Sequence, residues 1–177
     1  MSKPAEGVIQ AVYLCYDNQK TALINKLIAD KPDYNSILIF CSTKKKVSEL
    51  TRSLKKYNNA ESISSDLEQA EREKVLQRFK AGQTRILVAT DVLSRGIDIK
   101  GIDLVINFDV PGDAEDYVHR VGRTARADAT GVALTLVNEK DMGSFQSIEK
   151  LIEKEIIKLT VPGELGKGPE WKVGRHR

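Results

Sequence analysis

The residues of this sequence that are best suited to chemistry lie in one basic run, residues 113–128. Three arginines in it, Arg120, Arg123 and Arg126, recur at every third position behind His119. Arginine is permanently charged and presents a rigid fork of donors, so this spacing favours binding of a polyanion or a phosphate group. Residues three apart are neighbours on a helix, and the glycine before Arg123 lets the chain leave that helix. The run predicts an anion-binding cluster at a helix end, with a solvated basic face as the alternative.

Two further polar segments begin where short apolar runs end. Residues 36–40 and 85–90 are runs of the kind that form strands buried on both faces of a parallel sheet. The polar residues at the two strand ends are Ser42, Thr43 and Lys44 in one case and Thr90, Asp91, Arg95, Gly96 and Asp98 in the other. Amides at a helix N-terminus form an anion site with a hydroxyl and lysines, and small residues at a strand end let a phosphate or ribose approach. A plain N-cap at Thr43 and a turn at Gly96 are the simpler interpretations.

A third candidate lies on the helix predicted for residues 68–80. Gln69 and Arg72 are three apart there, so both can face the same strand of nucleic acid. A helix-capping box that begins at Ser65 or Asp66 explains Gln69 equally well. The lysine-rich helix that precedes it is equally open, because lysines on a solvent face are as common as lysines that face a phosphate.

Apolar periodicity predicts strands and helices in alternation along the chain. The predicted strands are 8–16, 36–40, 60–63, 85–90, 104–108 and 132–137, and the predicted helices are 17–30, one capped by Ser42 or Thr43, 68–80, one that carries the arginine run, and 142–157. This alternation indicates an α/β domain with a mostly parallel central sheet and helices on both faces. Ligands bind such sheets at the carboxyl ends of the strands. Since every polar cluster follows a strand or begins a helix, one edge of the sheet is predicted to carry the chemistry.

Length and composition describe an ordinary globular domain. The chain has 177 residues, of which 41% are hydrophobic and 30% charged, and this suits one domain that needs no disulfide. Its net charge of +3 is a weak argument for nucleic acid. No stretch reaches the ~20 apolar residues of a membrane helix, so no membrane partner is expected. Cys15 and Cys41 have no second ligand at metal-binding spacing, and we interpret them as reduced core residues of a cytoplasmic protein.

The order and spacing of these clusters resemble the second RecA-like domain of DEAD-box ATP-dependent RNA helicases, over residues 8–157. The motifs that carry the resemblance are Phe40-Cys41-Ser42-Thr43, Asp66 to Arg72, Ala89-Thr90-Asp91 with Ser94 to Asp98, Asn107 to Pro111, and His119 to Arg126. Within the family the sequence is most similar to the bacterial RhlE-type branch. It departs from the family pattern at Ser64 and Ser65, where many members have His-Gly, and at Ala125, where glycine is commoner. The resemblance implies a RecA-like, three-layer α/β fold.

The resemblance also implies roles for individual residues. Arginine fingers on the γ-phosphate of ATP are expected at Arg123 and Arg126, and ribose contacts at Gly96 and Asp98. Arg95 is expected to help link the two domains. His119 and Arg120 are expected to join the polar network between the domains and to couple RNA to ATP. Contacts with the RNA backbone are expected at Ser42, Thr43, Lys44, Gln69, Arg72, Thr90 and Asp91. ATP and Mg²⁺ are expected to be held mainly by an N-terminal RecA-like domain of the same protein.

Two motifs that a complete helicase needs are absent from the sequence. It has neither a Gly-x-x-x-x-Gly-Lys phosphate loop nor an Asp-Glu-Ala-Asp run to hold Mg²⁺. We therefore expect a monomeric domain that does not hydrolyse ATP alone, with a linker in residues 1–7, the folded domain in 8–159 and a basic, flexible tail in 160–177. The alternatives are a non-catalytic module that binds RNA or protein, and the C-terminal domain of a DNA-directed superfamily 2 helicase.

Overall fold

The computed structural model describes residues 7–91, 99–124 and 131–173. Its strands are β1 (Val8–Leu14), β2 (Ile37–Phe40), β3 (Ala60–Ile63), β4 (Ile86–Ala89), β5 (Leu104–Asn107), β6 (Gly131–Val137) and β7 (Ile157–Thr160). Its helices are α1 (Asp17–Ala29), α2 (Lys44–Leu54), α3 (Gln69–Lys80), α4 (Ala114–Val121) and α5 (Met142–Ile152). Short 3₁₀ turns follow at Gly122–Thr124 and Gly163–Leu165.

The seven strands form a single sheet in the order β3-β4-β2-β5-β6-β1-β7. Every strand pair within the described residues is parallel. The strands are also closely in register, since Phe40 at the end of β2 pairs with Ala89 of β4 on one side and with Asn107 of β5 on the other. The carboxyl ends of the strands therefore meet at one edge. The predicted α/β class is confirmed, with a sheet that is wholly rather than mostly parallel over this part of the chain.

Alternate residues of the central strands pack against helices on opposite faces of the sheet. In β2, Ile37 and Ile39 pack with α1 and α2, whereas Leu38 and Phe40 pack with α3. Helices α4 and α5 cover the rest of that second face. Both faces of the sheet are thus buried, which explains why the central strands are continuously apolar and why polar groups concentrate at the strand ends.

The last helix is shorter than predicted and is followed by a strand that was not predicted. Helix α5 ends at Ile152, and Glu153 after it has a left-handed φ of 57°. Strand β7 then pairs with β1 at the edge of the sheet. Ile156 is buried on the α5 side of the sheet, whereas Leu159 packs on the α1 side. This alternation between the two faces is typical of a strand. The spacing of Ile152 and Ile156 also fits a helix, which explains why the helix was predicted to continue.

The described part of the predicted flexible tail, residues 161–173, packs against the domain. The Nε2 atom of Gln19 in α1 donates hydrogen bonds to two carbonyl oxygens of this segment, at 3.1 and 3.2 Å. Trp171 packs against the cluster around α5, and its ring centre lies 4.4 Å from Nζ of Lys158. Backbone carbonyl groups and one aromatic ring thus attach a segment that has little apolar periodicity, and the flexibility of the tail stays a prediction.

Gly168 provides a test of this packing. A Cβ atom at this position would lie 2.7 Å from the carbonyl oxygen of Leu14, so a side chain forces the segment off β1. We expect Gly168→Ala to lower the free energy of unfolding by about 1 to 3 kcal/mol, measured by urea denaturation. Gly163→Ala is the matched control, since nothing lies within 4 Å of its Cβ position. It should change stability by less than about 0.5 kcal/mol, and equal urea midpoints for the two variants would contradict the packing.

Candidate functional site

The carboxyl ends of β3, β4 and β2 lie side by side and bring several predicted residues together. The amide of Thr90, directly after β4, donates to the carbonyl oxygen of the last residue of β3 at 3.3 Å. The amide of Cys41, directly after β2, donates to the last residue of β4 at 2.8 Å. Across the loops, Nζ of Lys44 lies 2.9 Å from Oδ1 of Asp66. The segment of residues 42–46, which we call the α2 N-terminus, is therefore next to Thr90.

At the α2 N-terminus, Thr43 is an N-cap and still has a donor to offer. Its hydroxyl oxygen accepts a hydrogen bond from the amide of Lys46 at 3.2 Å, as the simpler interpretation predicted. The hydroxyl proton is not used in that bond, because a hydroxyl donates one bond and accepts others. The first amides of a helix have no partner within it. Since Ser42, Thr43 and Lys44 are all exposed, this helix end can receive an anion.

Thr90 has a buried hydroxyl that lacks a partner. The residue is 6% exposed, and its Oγ1 atom makes no hydrogen bond within the described residues. A buried polar atom left without a bond costs about 1 to 3 kcal/mol, which folding alone does not explain. Asp91, the next residue, is exposed.

Gln69 and Arg72 lie at the start of α3, beside the loop that follows β3. The capping box predicted upstream of Gln69 is wrong, because the helix begins after Glu68 and no side chain caps it. The Gln69 side chain is exposed and donates to Oε1 of Glu73 at 3.3 Å. Nε of Arg72 donates to the carbonyl oxygen of Leu67 at 3.0 Å, which directs the guanidinium along the same loop.

Arg120 is buried inside the domain, in a polar network between α4 and the sheet. It is 6% exposed, and its Nη2 lies 2.9 Å from Oδ2 of Asp116. Its Nη1 donates to Oδ1 of Asn107 at 3.2 Å, and its guanidinium stacks 4.7 Å from the ring centre of Phe40. These contacts join α4 to β5 and β2. The interdomain role expected of Arg120 stays a prediction, since every contact above lies within the domain.

The remaining residues of the arginine run are only partly described. His119 is exposed on α4, whose N-cap is Asp113, as predicted: its Oδ1 accepts from the amide of Asp116 at 2.7 Å. Arg123 is partly exposed in the turn after α4, with Nη1 at 3.5 Å from the carbonyl oxygen of Ile99. The predicted residues that lie outside the described part of the chain are Arg95, Gly96, Asp98 and Arg126.

A buried lysine in α1 was not identified from the sequence. Lys20 is 0% exposed, and its Nζ donates to the carbonyl oxygen of Phe108 at 2.8 Å and lies 3.2 Å from Oδ1 of Asp17. The signal was available, because Lys20 falls on the same helical stripe as the buried Leu23 and Ile24. A lysine on an apolar stripe indicates a buried partner, but the stripe does not say which one.

Asp109, the second residue after β5, lies in one of the sequence motifs, but the sequence predicted no role for it. Its Oδ2 accepts a hydrogen bond from the amide of Ser42 at 2.7 Å, and its Oδ1 accepts one from Nζ of Lys46 at 2.7 Å. Burial opposes ionisation of Asp109, but the bonds from Lys46 and Ser42 outweigh it and lower the pKa of the carboxyl group. Burial likewise opposes the charge of Lys46, and the bond to Asp109 outweighs it and raises the lysine pKa. Both groups are therefore charged at neutral pH.

Other chemistry is limited in the part of the chain that the structure describes. Cys15 and Cys41 are free and buried, and burial raises the pKa of each thiol to about 12. No three His, Cys, Asp or Glu side chains among residues 7–91, 99–124 and 131–173 are grouped so that they could hold a metal ion. None of the helices in these ranges has the length and apolar character needed to cross a membrane.

Known proteins with similar sequences and structures define the class. Residues 19–128 match the family model described as helicase conserved C-terminal domain. The DEAD-box ATP-dependent RNA helicase 40 of Oryza sativa subsp. japonica is 43% identical over 147 residues, which cover 83% of this chain and 19% of that protein. The E. coli DEAD-box protein SrmB, solved bound to regulator of ribonuclease activity A, matches with a TM-score of 0.82 at 30% identity. The match covers 99% of this chain and 100% of the solved chain. S. cerevisiae Dbp5, solved bound to RNA and ADP BeF3, matches with a TM-score of 0.81 at 28% identity. The match covers 89% of this chain and 42% of the Dbp5 chain.

The fold is therefore that of the RecA-like helicase domains, as predicted. The chain belongs to the helicase conserved C-terminal domain family, among the DEAD-box proteins. The finer similarity to the RhlE-type branch is not confirmed, since the relatives include plant and yeast DEAD-box proteins as well as SrmB. The chain spans less than half the length of the curated relatives it matches, for example 44% of the eIF4A helicase of Scheffersomyces stipitis.

The buried Arg120 network gives a stability prediction. Removing one partner of a buried ion pair leaves the other charge uncompensated, so Arg120→Ala should lower the free energy of unfolding by about 3 to 5 kcal/mol in urea denaturation. His119→Ala, at the exposed neighbouring position of α4, should change it by less than about 0.5 kcal/mol. Similar urea midpoints for the two variants would show that Arg120 is not held in this network.

Proposed function

We propose that this domain binds the sugar-phosphate backbone of RNA at the carboxyl ends of β3, β4 and β2, and supplies Arg123 and Arg126 to ATP held by an N-terminal RecA-like domain. The observation that carries the RNA part is the juxtaposition of the exposed α2 N-terminus with Thr90. The first offers helix amides and the hydroxyl proton of Thr43, and the second offers a buried hydroxyl without a partner in the described residues. A phosphate group is negatively charged and has several acceptor oxygens, so it can accept hydrogen bonds from these unused donors.

The ion pair between Lys44 and Asp66 is compatible with this role. Both side chains are largely solvent-exposed, at 55% and 69%, and exposed pairs contribute little to stability. Lys44 can therefore exchange its carboxylate partner for a phosphate at small cost. Gln69 and Arg72 at the start of α3 extend the same surface beyond Asp66.

Recognition of the backbone rather than of the bases follows from the kinds of side chain present. The donors at this edge are amides, hydroxyl groups and cations, which fit phosphate oxygens. Aromatic residues make up 6% of the chain and form no stacking platform beside these donors in the sequence. The domain should therefore bind single strands with little dependence on base sequence.

The ATP part of the proposal rests on the position of Arg123 and on the relatives. Arg123 lies in the turn after α4, on the amino-terminal side of β5 and not at the carboxyl edge, since its carbonyl oxygen accepts a hydrogen bond from the amide of Ile102 at 3.0 Å. Arg120 anchors α4 to β5 and β2. An arginine on an anchored helix end can meet a γ-phosphate from across a domain interface, as arginine fingers do. The sequence has no phosphate loop of its own, so we assign the main binding of ATP and Mg²⁺ to the N-terminal domain. The solved complex of the similar Dbp5 with RNA and ADP BeF3 supports both ligands for this chain.

RNA binding by the chain alone tests the first part of the proposal. We expect dissociation constants of ~10⁻⁴ to 10⁻⁶ M at physiological salt, nearly equal for unrelated single strands, from fluorescence anisotropy. Lys44→Ala should weaken binding and reduce the slope of log K against log salt by about 0.7, because one phosphate contact is lost. Lys56→Ala, an exposed lysine beyond the other end of α2, is the control and should leave the slope unchanged. A strong preference for one base sequence would argue instead for a sequence-specific binding module.

Arg123 is tested in a two-domain helicase that carries this chain as its C-terminal half. Arg123→Ala should lower the single-turnover rate of ATP hydrolysis in saturating RNA by ~10³ to 10⁵, with little loss of nucleotide affinity, because the charge it stabilises develops in the transition state. Arg123→Lys should be nearly as slow, since an ammonium group lacks the guanidinium fork. The exposed Arg52→Ala serves as the control. Hydrolysis within a few-fold of the unmodified rate for Arg123→Ala would refute the finger assignment.

A further inference from the structure

The amide of Ser42 is not available to a ligand, because Asp109 already binds it. Oδ2 of Asp109 accepts this amide at 2.7 Å, and the carboxylate is only 13% exposed. A carboxylate that binds a backbone amide fixes the direction in which the chain leaves β2 and enters α2. The amides that remain for a phosphate are therefore those of Thr43, Lys44 and Lys45, because the amide of Lys46 donates to the hydroxyl oxygen of Thr43.

A carboxylate at this position creates an electrostatic problem for a phosphate-binding site. Two negative groups at close range repel each other, and the repulsion is strong where the groups are partly shielded from water. Lys20 compensates Asp109 only in part, because its Nζ lies 3.7 Å from Oδ1 and is shared with Phe108 and Asp17. The main compensation comes from Lys46, whose Nζ is 2.7 Å from Oδ1 of Asp109.

Lys46 is engaged on two sides, in contrast to its neighbours. Besides Asp109, its Nζ donates to Oγ of Ser42 at 3.2 Å, and its side chain is 40% exposed. The Lys45 side chain is 84% exposed, and its carboxylate contact among the described residues, with Glu49, is at 4.0 Å. The Lys45 side chain can thus reorient to bind a phosphate, whereas the Lys46 side chain is held against the edge of the sheet.

We propose that Asp109 and Lys46 are a positioning pair for the RNA site: Asp109 fixes the backbone at Ser42, and Lys46 neutralises Asp109 rather than binding a phosphate itself. This inference rests on the proposed function, because it assigns roles at the RNA site proposed above. It also separates the lysines of α2 into two kinds. Lys44 and Lys45 act on RNA directly, and Lys46 acts on RNA through Asp109.

A double-mutant cycle tests the pair with the full chain and a short fluorescein-labelled oligouridine at low salt. Lys46→Met should weaken binding by about tenfold, because it exposes the charge of Asp109 to the phosphates. In the Asp109→Asn background the same change should weaken binding by less than about twofold, because the amide oxygen still accepts from Ser42 but carries no charge. Lys45→Met is the matched control, and its effect should be equal in both backgrounds.

The outcomes separate this inference from the proposed function. An unmodified chain that does not bind oligouridine overturns the proposed function and the inference with it. If the unmodified chain binds and Lys46→Met is equally harmful in both backgrounds, Lys46 contacts phosphate directly and only the inference is overturned. It is also overturned if Lys46→Met has no effect in either background. Urea denaturation shows whether each variant is folded.

An NMR titration provides a second measurement that needs no variant. On addition of the oligouridine, the amide protons of Lys44 and Lys45 should move downfield as they bind phosphate oxygens. The amide proton of Ser42 should already be downfield in the free chain and should stay there, because its bond to Asp109 persists. A large RNA-dependent shift of the Ser42 amide proton would show that the phosphate displaces Asp109, and would overturn the inference.

Discussion

In the described part of the chain, two cations are buried at the carboxyl edge of the sheet, and the geometry of that edge depends on how their charge is compensated. Burying an ammonium or guanidinium group costs several kcal/mol unless it is paired and hydrogen-bonded, so each must keep its partners in place. Lys20 in α1 binds the backbone after β5 and the carboxylate of Asp17. Arg120 in α4 binds Asp116 and Asn107 and stacks on Phe40. Because the two cations come from helices on opposite faces, the strand ends are fixed from both sides.

This arrangement divides the hydrogen-bond donors of the edge into two sets. The first set is committed to partners inside the domain: the backbone amide of Ser42 and the side chains of Lys46 and Arg120. Other donors are not used within the described residues: the hydroxyl proton of Thr43, the amides of Lys44 and Lys45, and the hydroxyl of Thr90. The committed donors hold the backbone in position, and the uncommitted donors can meet a phosphate without rearrangement. Such preorganisation reduces the conformational cost of binding.

The C-terminal segment is connected to the same edge through α1. Gln19, which binds the carbonyl oxygens of residues 165 and 167, is adjacent in sequence to Lys20. Helix α1 is therefore held by the segment on one side and by the β5 backbone on the other. Strand β7 adds to this support, because it pairs with β1, the strand that leads into α1. Residues outside the sequence motifs thus contribute to the position of the residues inside them.

Local sequence patterns were enough to predict the features that depend on neighbours along the chain. Apolar runs such as residues 37–40, the cap at Asp113 and the N-cap at Thr43 are set by periodicity and side-chain chemistry within a few residues. Two contacts became evident only in the folded chain: Lys20 binds a carbonyl group 88 residues away, and Asp109 binds the amide of Ser42. The strand Ile157–Thr160 likewise became evident only there, because its pairing with β1 at the other end of the chain overrides a local helical stripe. Local patterns do not encode which distant partner a buried polar group or an edge strand meets, since that depends on how the whole sheet is assembled.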